Sequence, residues 1–121
     1  MVSDRLVSRS TLTGAGFRDL APHLAAEHLG ELRVIDVREP GEFTGPLGRV
    51  PGAELVPLGT LEEAARTWNR DRAVLVVCRS GGRSGRAATI LRTLGFRNVF
   101  NLTGGMLAWD AHGLPRDRVA A

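Results

Sequence analysis

Residues 73–84 of the chain, Ala-Val-Leu-Val-Val-Cys-Arg-Ser-Gly-Gly-Arg-Ser, join a short apolar segment to a loop of small and cationic residues. The segment 73–77 is apolar at every position and rich in valine, which is typical of a central strand in a parallel sheet covered by helices. Beyond Ser84, apolar residues recur at helical spacing until Gly95. The order strand, tight loop, helix predicts an α/β fold with Cys78 at the carboxyl end of a central strand.

Segments with the same alternating character lie on both sides of this unit. Residues 33–38 contain a β-branched run just before a Pro-Gly turn, and residues 98–102, Asn-Val-Phe-Asn-Leu, form another brief segment of this kind, so both are predicted to be strands. Residues 40–57 are rich in glycine and proline and are predicted to be a long irregular connection, with residues 53–56 as a candidate short strand. Parallel strands in such an alternation are joined by right-handed crossovers.

Three further helical segments are predicted from spacing and caps. Between residues 13 and 30, apolar residues step by three and four, which predicts a helix or helix pair with Pro22 in a first turn or at a break. Residues 60–63, Thr-Leu-Glu-Glu, fit a capping box at the start of a helix whose apolar face continues to Trp68. Residues 106–112 are predicted to form a helix that glycine and proline then end.

A chain of 121 residues allows one domain, residues 1–121, and leaves no room for a second core. The core is predicted to span residues 13–115, after an extended entry segment (1–12) ending in a short edge strand, and before a tail (116–121). Hydrophobic residues make up 43% and charged residues 24%, as in soluble globular proteins. The longest apolar run, residues 73–78, is far shorter than the roughly 20 residues of a membrane-spanning helix.

The charge pattern favours a small anionic partner over nucleic acid. All 16 basic residues are arginine, the formal net charge is +3, and like charges do not form long runs. The N-terminal segment lacks an apolar signal region and carries Asp4, so a cytoplasmic location without membrane association is predicted. One cysteine cannot form a disulfide within the chain, and the histidines show no ligand spacing, so no metal site is predicted; they are His23, His28 and His112.

Cys78 is the residue with the clearest chemical potential. A single cysteine after a buried strand is, taken alone, more often an inert small hydrophobe than a nucleophile. Residues 80–82, Ser-Gly-Gly, allow successive amide N–H groups to turn inward at a helix N-terminus, although they also fit a simple tight turn. Arg79, Arg83 and Arg86 add cations, although each alone fits a solvated helix face. Together these neighbours predict an anion-binding loop that lowers the pKa of the thiol and yields a thiolate at neutral pH.

Four segments, in this order, resemble the rhodanese family of sulfurtransferases, and the resemblance covers about residues 13–115. The most specific is Val76-Val-Cys-Arg-Ser-Gly-Gly-Arg-Ser84; the others are Val34-Ile-Asp-Val-Arg-Glu-Pro-Gly-Glu-Phe43, Gly48-Arg-Val-Pro-Gly-Ala53 and Leu102-Thr-Gly-Gly-Met-Leu-Ala-Trp109. Arg49 stands where the family usually has histidine. The resemblance implies a three-layer α/β sandwich whose central, mostly parallel sheet has four to five strands, with helices on both faces.

The resemblance also implies a reaction. Cys78 would attack the outer sulfur of thiosulfate or a similar small anionic donor, hold it as a persulfide, and pass it to cyanide or a thiol, including a partner protein's thiol. No cofactor beyond the persulfide is implied, and we expect a monomer. Main-chain amides of the loop would stabilise the sulfur, while the arginine side chains would attract or orient the donor. The residues implied to bind substrate are Arg79, Ser80, Gly81, Gly82, Arg83 and Ser84.

Side chains near the first strand are candidates for supporting the site. Asp36 and Arg38 follow that strand, and a structural role that ties a neighbouring loop to the site is favoured over an ordinary solvent-exposed pair. Arg38 and Glu42 are weaker candidates for a pocket rim. Trp109 is interpreted as a core aromatic on a helix face.

Other functions fit parts of this pattern less well. Cysteine phosphatases and arsenate reductases resemble Cys-x5-Arg, whereas Cys78 and Arg83 give Cys-x4-Arg, and the loop lacks an acid to protonate a leaving oxygen. A non-catalytic binding module usually loses the cysteine or the glycines, and both are present here. Redox sensing by the thiol would usually need a resolving cysteine, which another molecule would have to supply.

Overall fold

The predicted central strand forms as β5, Val74–Val77, and all of its residues are buried. It lies between β3, Arg33–Asp36, and β6, Val99–Leu102, and it pairs in parallel with both. These elements belong to a computed structural model that describes residues 2–118. Because β5 is apolar on both faces, it requires a layer of helices on each side of the sheet.

Three short strands extend the sheet outward. β4, Glu54–Leu55, is parallel to β3; β2, Arg18–Leu20, is parallel to β6; and β1, Thr11–Leu12, is antiparallel to β2. The order is β1-β2-β6-β5-β3-β4, so the sheet in the described residues has six strands rather than the predicted four to five. The prediction missed β2 because the spacing of apolar residues between 13 and 30 imitates a helix, although a turn at Thr13 and β2 occupy its first part.

Helices cover both faces of this sheet. They are α1 (Asp4–Arg9), α2 (Pro22–Glu27), α3 (Pro40–Phe43), α4 (Leu58–Ala65), α5 (Gly82–Thr93) and α6 (Gly105–Ala111), with a 3-10 turn at Leu29–Glu31. Pro22 occupies the first turn of α2, one of the two positions predicted for it. No helix in residues 2–118 is long and apolar enough to cross a membrane.

Two clusters of buried side chains, one on each face of the sheet, join the helices to the sheet in three layers. Side chains from α1, α2 and α6 pack on one face of the sheet, where Leu6 and Trp109 are fully buried. Side chains from α4 and α5 pack on the other face, where Leu61 and Leu91 are fully buried. The α/β sandwich is therefore confirmed, and Trp109 is a core aromatic as predicted.

The two chain ends differ from their predictions. Residues 1–12 were expected to be extended, but α1 forms there because the Ser3 hydroxyl accepts a hydrogen bond from the Leu6 amide and the Leu6 side chain is buried. The expected edge strand near the end of this segment is present as β1. In the predicted tail, the backbone of Asp117 exchanges two hydrogen bonds with that of Arg49, at 3.0 and 2.9 Å. Residues 119–121 lie outside the described residues.

The connection from residue 40 to 57 and the helix after it also differ from their predictions. The connection was predicted to be irregular, yet α3 forms at its start, where Glu39 and Glu42 make a reciprocal capping box. The capping box predicted at Thr60 is wrong, because α4 already begins at Leu58. The Thr60 hydroxyl lies inside the first turn and donates to the Pro57 carbonyl at 3.0 Å.

Candidate active site

Cys78 lies directly after β5, where the carboxyl ends of parallel strands meet. Its side chain is buried, with 1% relative exposure. The sulfur accepts a hydrogen bond from the Gly81 amide, with an N–S distance of 3.0 Å, and lies 3.3 Å from the Ser84 hydroxyl oxygen. Residues 78–84, which we call the Cys78 loop, thus close around their own sulfur atom.

Gly81 gives the Cys78 loop its shape. Its φ of +110° lies in the left-handed region, which residues with a Cβ rarely adopt. The residue immediately precedes α5 and no side chain caps that helix. The free amides at the start of α5 therefore carry the partial positive charge of the helix N-terminus next to the sulfur.

Burial raises the pKa of the Cys78 thiol, but hydrogen bonds lower it by more, so the net pKa lies below its ordinary value of 9.0. The hydrogen bonds come from the Ser84 hydroxyl and from the backbone of Ser84, Gly81 and Ser80. The predicted direction is confirmed. The sequence argument named both the loop amides and the arginine charges, and the largest lowering effects come from the hydrogen bonds.

The Arg83 side chain is already bound to a carboxylate. Its two terminal nitrogens donate to the two carboxylate oxygens of Glu42 at 2.6 and 2.8 Å. This contact lowers the pKa of Glu42 to about 2 and raises that of Arg83. Arg83 was predicted to attract or orient an anionic donor, and Glu42 was only a weak candidate for the rim. The structure joins their side chains into one ion pair, and the role predicted for Arg83 towards a donor stays a prediction.

We expect this pair to make stability depend on pH in a defined window. Since the folded-state pKa of Glu42 lies below its ordinary 4.5, the stabilisation is complete above about pH 4.5 and is lost as the pH falls towards 2. The difference in unfolding free energy between wild type and Glu42→Gln should therefore be constant at neutral pH and shrink over this window. Urea denaturation at a series of pH values measures it.

Glu62→Gln provides the control for that titration. Glu62 forms a surface pair with Arg66, and both side chains are more than 60% exposed, at 62% and 63%. Its substitution should leave the pH dependence of wild type almost unchanged. A constant difference for Glu42→Gln down to pH 2 would show that the Arg83 pair contributes nothing to folding.

Asp36 and Arg38 form a buried ion pair at the end of β3. The side chains are 0% and 1% exposed, and two nitrogens of the guanidinium donate to the carboxylate at 2.8 to 3.1 Å. Arg38 also donates to the Gly48 carbonyl at 2.7 Å. The pair thus ties β3 to the connection after α3. It makes no hydrogen bond to the Cys78 loop, to which the sequence argument had linked it.

Arg49, which stands where the family that the chain resembles usually has histidine, supports α3. Its guanidinium carbon lies 4.6 Å from the centroid of the Phe43 ring, and it donates to the Phe43 carbonyl at 3.4 Å. Phe43 is the last residue of α3, the helix that carries Glu42. Arg49 therefore supports the helix from which Glu42 meets the Cys78 loop.

A cleft of about 360 Å³ opens beside the Cys78 loop. Its lining combines apolar surface with charged side chains, from Arg38, Gly41, Glu42, Pro46, Leu47 and Arg79. Arg79 is exposed, as are Ser80, Gly82 and Arg86. Within residues 2–118, Arg79 is the cleft arginine that forms no ion pair, so it is the cation best placed to meet an anion there.

The start of α6 holds the other side of the Cys78 loop, a contact the sequence argument missed. The amides of Met106 and Leu107 donate to the carbonyls of Cys78 and Arg79 at 2.9 and 3.0 Å. Gly105 allows this approach, because a Cβ at that position would collide with both carbonyl oxygens. The loop carbonyls are thereby turned away from the sulfur while its amides point towards it.

A chain of polar groups behind Cys78, formed by buried Ser84 and Asn101 and half-buried Asp19, was also missed. The Ser84 hydroxyl lies 2.5 Å from the Asn101 amide oxygen, and the Asn101 amide nitrogen donates to an Asp19 carboxylate oxygen at 3.2 Å. Asn101 is a polar residue within the otherwise apolar strand β6, which is the one sequence signal that could have identified it. No group of three or more potential metal ligands occurs within residues 2–118.

The chain is similar to known proteins in both sequence and structure. The family model described as a rhodanese-like domain matches residues 21–112. A sulfurtransferase of Allochromatium vinosum is 36% identical over 85 residues, or 70% of this chain and 78% of that protein. Thiosulfate sulfurtransferase 16, chloroplastic, of Arabidopsis thaliana is 36% identical over 95 residues, which cover 69% of this chain and 78% of that protein. The crystal structure of a rhodanese-related protein from Thermoplasma volcanium is 30% identical with a TM-score of 0.75, covering 82% of this chain and 96% of that one.

Proposed function

This chain belongs to the rhodanese family of sulfurtransferases, and from that membership we propose that it transfers a sulfane sulfur from thiosulfate or a similar donor through a persulfide on Cys78. The observation that carries the proposal is the environment of the sulfur atom. Cys78 Sγ is buried, and the Gly81 amide and Ser84 hydroxyl lie 3.0 and 3.3 Å from it. Hydrogen-bond donors at these positions stabilise an anionic sulfur.

The first half-reaction loads the cysteine. The Cys78 thiolate attacks the outer sulfur of thiosulfate and forms a new S–S bond. The bond between that sulfur and the sulfonate group breaks, and sulfite leaves with the electron pair. The negative charge then resides on the outer persulfide sulfur, close to the amides at the start of α5, which stabilise it. Exposed Arg79 in the cleft attracts the incoming anion.

The second half-reaction removes the outer sulfur from the Cys78 persulfide. Cyanide or a thiolate attacks the outer sulfur, and the bond to Cys78 Sγ breaks with its electron pair returning to the cysteine. The products are thiocyanate or a new persulfide, and the Cys78 thiolate is regenerated. The same hydrogen bonds from Gly81 and Ser84 stabilise this leaving thiolate, so one environment serves both steps.

The arrangement supports sulfur transfer over phosphoryl transfer. The Cys-x4-Arg spacing closes the Cys78 loop around a single sulfur atom, and Arg83 already binds Glu42 on both of its terminal nitrogens. An arginine held in this way is not free to bind a phosphoryl dianion with the same nitrogens. We therefore rank sulfur transfer above a phosphatase activity.

Intact-protein mass spectrometry tests the proposal. After incubation with thiosulfate, we expect wild type to gain the mass of one sulfur atom, and added cyanide to remove it with formation of thiocyanate. The chain has one cysteine, so protein pre-alkylated with iodoacetamide is a matched control that should gain nothing. If neither thiosulfate nor a mercaptopyruvate-type donor loads the protein, the sulfurtransferase proposal is wrong, and a binding or redox-sensing role replaces it.

A further inference from the structure

The Ser84 hydroxyl has one proton and three acceptors within reach. Its oxygen lies 3.3 Å from Cys78 Sγ, 3.2 Å from the Gly81 carbonyl oxygen and 2.5 Å from Asn101 Oδ1. A hydroxyl group donates one hydrogen bond at a time. Ser84 is fully buried, so bulk water does not donate to the acceptors that its hydroxyl leaves without a proton. Whichever acceptor receives this proton therefore deprives the other two.

The orientation of the Asn101 amide decides which of these three acceptors receives the Ser84 proton. Its nitrogen lies 3.2 Å from an Asp19 carboxylate oxygen and 3.5 Å from the Gly81 carbonyl oxygen, and both of these groups only accept. A flipped amide would set its oxygen against two acceptors. Asn101 Oδ1 must therefore face Ser84, and an O–O distance of 2.5 Å requires a proton between the two atoms.

We propose that Asn101, oriented by Asp19, is a positioning residue that makes ionisation of Cys78 depend on rotation of the Ser84 hydroxyl. With Cys78 as a thiol, Ser84 donates to Asn101 Oδ1, and its oxygen can accept from the S–H group. When the thiol proton passes to solvent, the Ser84 O–H turns from Asn101 to Sγ. No covalent bond changes except the S–H bond.

This rotation has a cost that falls on Asn101. Asn101 is 7% exposed, and once Ser84 turns away its buried amide oxygen has lost its donor. An unsatisfied buried acceptor is unfavourable, so Asn101 opposes the thiolate that the Gly81 amide and the turned Ser84 hydroxyl favour. The Cys78 pKa is therefore a balance between the loop and the strand behind it.

Exchanging Asn101 for an apolar residue isolates this effect from ordinary electrostatics. The charged groups on the elements around Cys78 keep their charges; they are Asp19 on β2, the Asp36–Arg38 pair at the end of β3, Glu42 on α3, Arg79 and Arg83 on the Cys78 loop, and Arg86 on α5. Because asparagine and leucine are both uncharged, a change in the titration of Cys78 reports the hydrogen bond and not a lost charge.

The test is the pH profile of iodoacetamide alkylation of Cys78 in the full chain. In Asn101→Leu, we expect the rate at pH 6, relative to the plateau at high pH, to rise about three- to tenfold, because Ser84 now donates only to the sulfur. Ser84→Ala should lower the same ratio. In the double variant, the ratio should equal that of Ser84→Ala alone. Asn98→Leu, a substitution next to the same strand, is the control and should leave the profile unchanged.

Three results would overturn the proposal: an unchanged profile in Asn101→Leu, a lower ratio at pH 6, or an equal rise in the Ser84→Ala background. Asn101→Ala, with its smaller side chain, gives the same prediction if leucine prevents folding. The proposal rests on the proposed function only in treating Cys78 as a reactive thiolate. Alkylation needs no sulfur donor, so a failure of sulfur transfer and a failure of this proposal give separate results.

Discussion

Replacing Cys78 with serine is expected to lower kcat/KM for sulfur transfer at least about a thousandfold. A serine hydroxyl does not ionise near neutral pH, and its oxygen cannot replace the sulfur that carries the persulfide. Serine fits the same space and can use the donors at Gly81 and Ser84, so the fold should remain. Sulfite release from thiosulfate in the presence of cyanide measures the loss.

Thr93→Ala is the matched control for that assay. Thr93 is exposed at the far end of α5, and its hydroxyl donates to the Thr89 carbonyl within the same helix. This variant should keep the activity of wild type. If Cys78→Ser retains more than about a tenth of the wild-type rate while its thermal melting is normal, Cys78 is not the sulfur carrier.

Replacing Asp36 with alanine should destabilise the fold by about 3–5 kcal/mol, because it leaves the Arg38 guanidinium buried without its counterion. Arg38 is 1% exposed and, among residues 2–118, would keep the Gly48 carbonyl as its one side-chain hydrogen-bond acceptor. A loss of this size is a large fraction of the stability of an ordinary domain. Urea denaturation of wild type and variant at neutral pH measures it.

Two comparisons separate this effect from simple loss of an ion pair. Glu62→Ala removes the exposed ion pair of a carboxylate with Arg66, and should lower the free energy of unfolding by about 0–1 kcal/mol. The double variant Asp36→Leu/Arg38→Met removes both buried charges and should be more stable than Asp36→Ala alone. A loss for Asp36→Ala no greater than for Glu62→Ala would contradict a structural role for the buried pair.

Local patterns in the sequence correctly predicted the central strand and the loop after it. The apolar run of β5 is buried along its whole length, and Cys78 follows it at the start of the loop, as the order of strand, loop and helix predicts. These features depend on residues that are neighbours in the chain, so spacing and composition are sufficient. The family resemblance rests on the same segments and correctly implies the layered fold, apart from the number of strands.

Contacts between distant residues were the ones that sequence patterns did not reveal. Glu42 and Arg83 are 41 positions apart, and Asp19 and Asn101 are 82 positions apart. Asp19 faces Asn101 because β2 pairs in register with β6, and β2 itself is concealed by apolar spacing that imitates a helix. Such pairings depend on crossovers and strand register, which hydrophobic periodicity does not encode across these separations.

The hydrogen bonds between α6 and the Cys78 loop have a consequence for local unfolding. The amide protons of Met106 and Leu107 are bound by the carbonyls of Cys78 and Arg79, so they exchange with deuterium only when helix and loop separate. The carbonyl of Cys78, which directly follows β5, thereby joins α6 to the most deeply buried part of the sheet. We expect both amides to exchange as slowly as those of the central strand, so that their protection factors report the equilibrium between the assembled and the opened site.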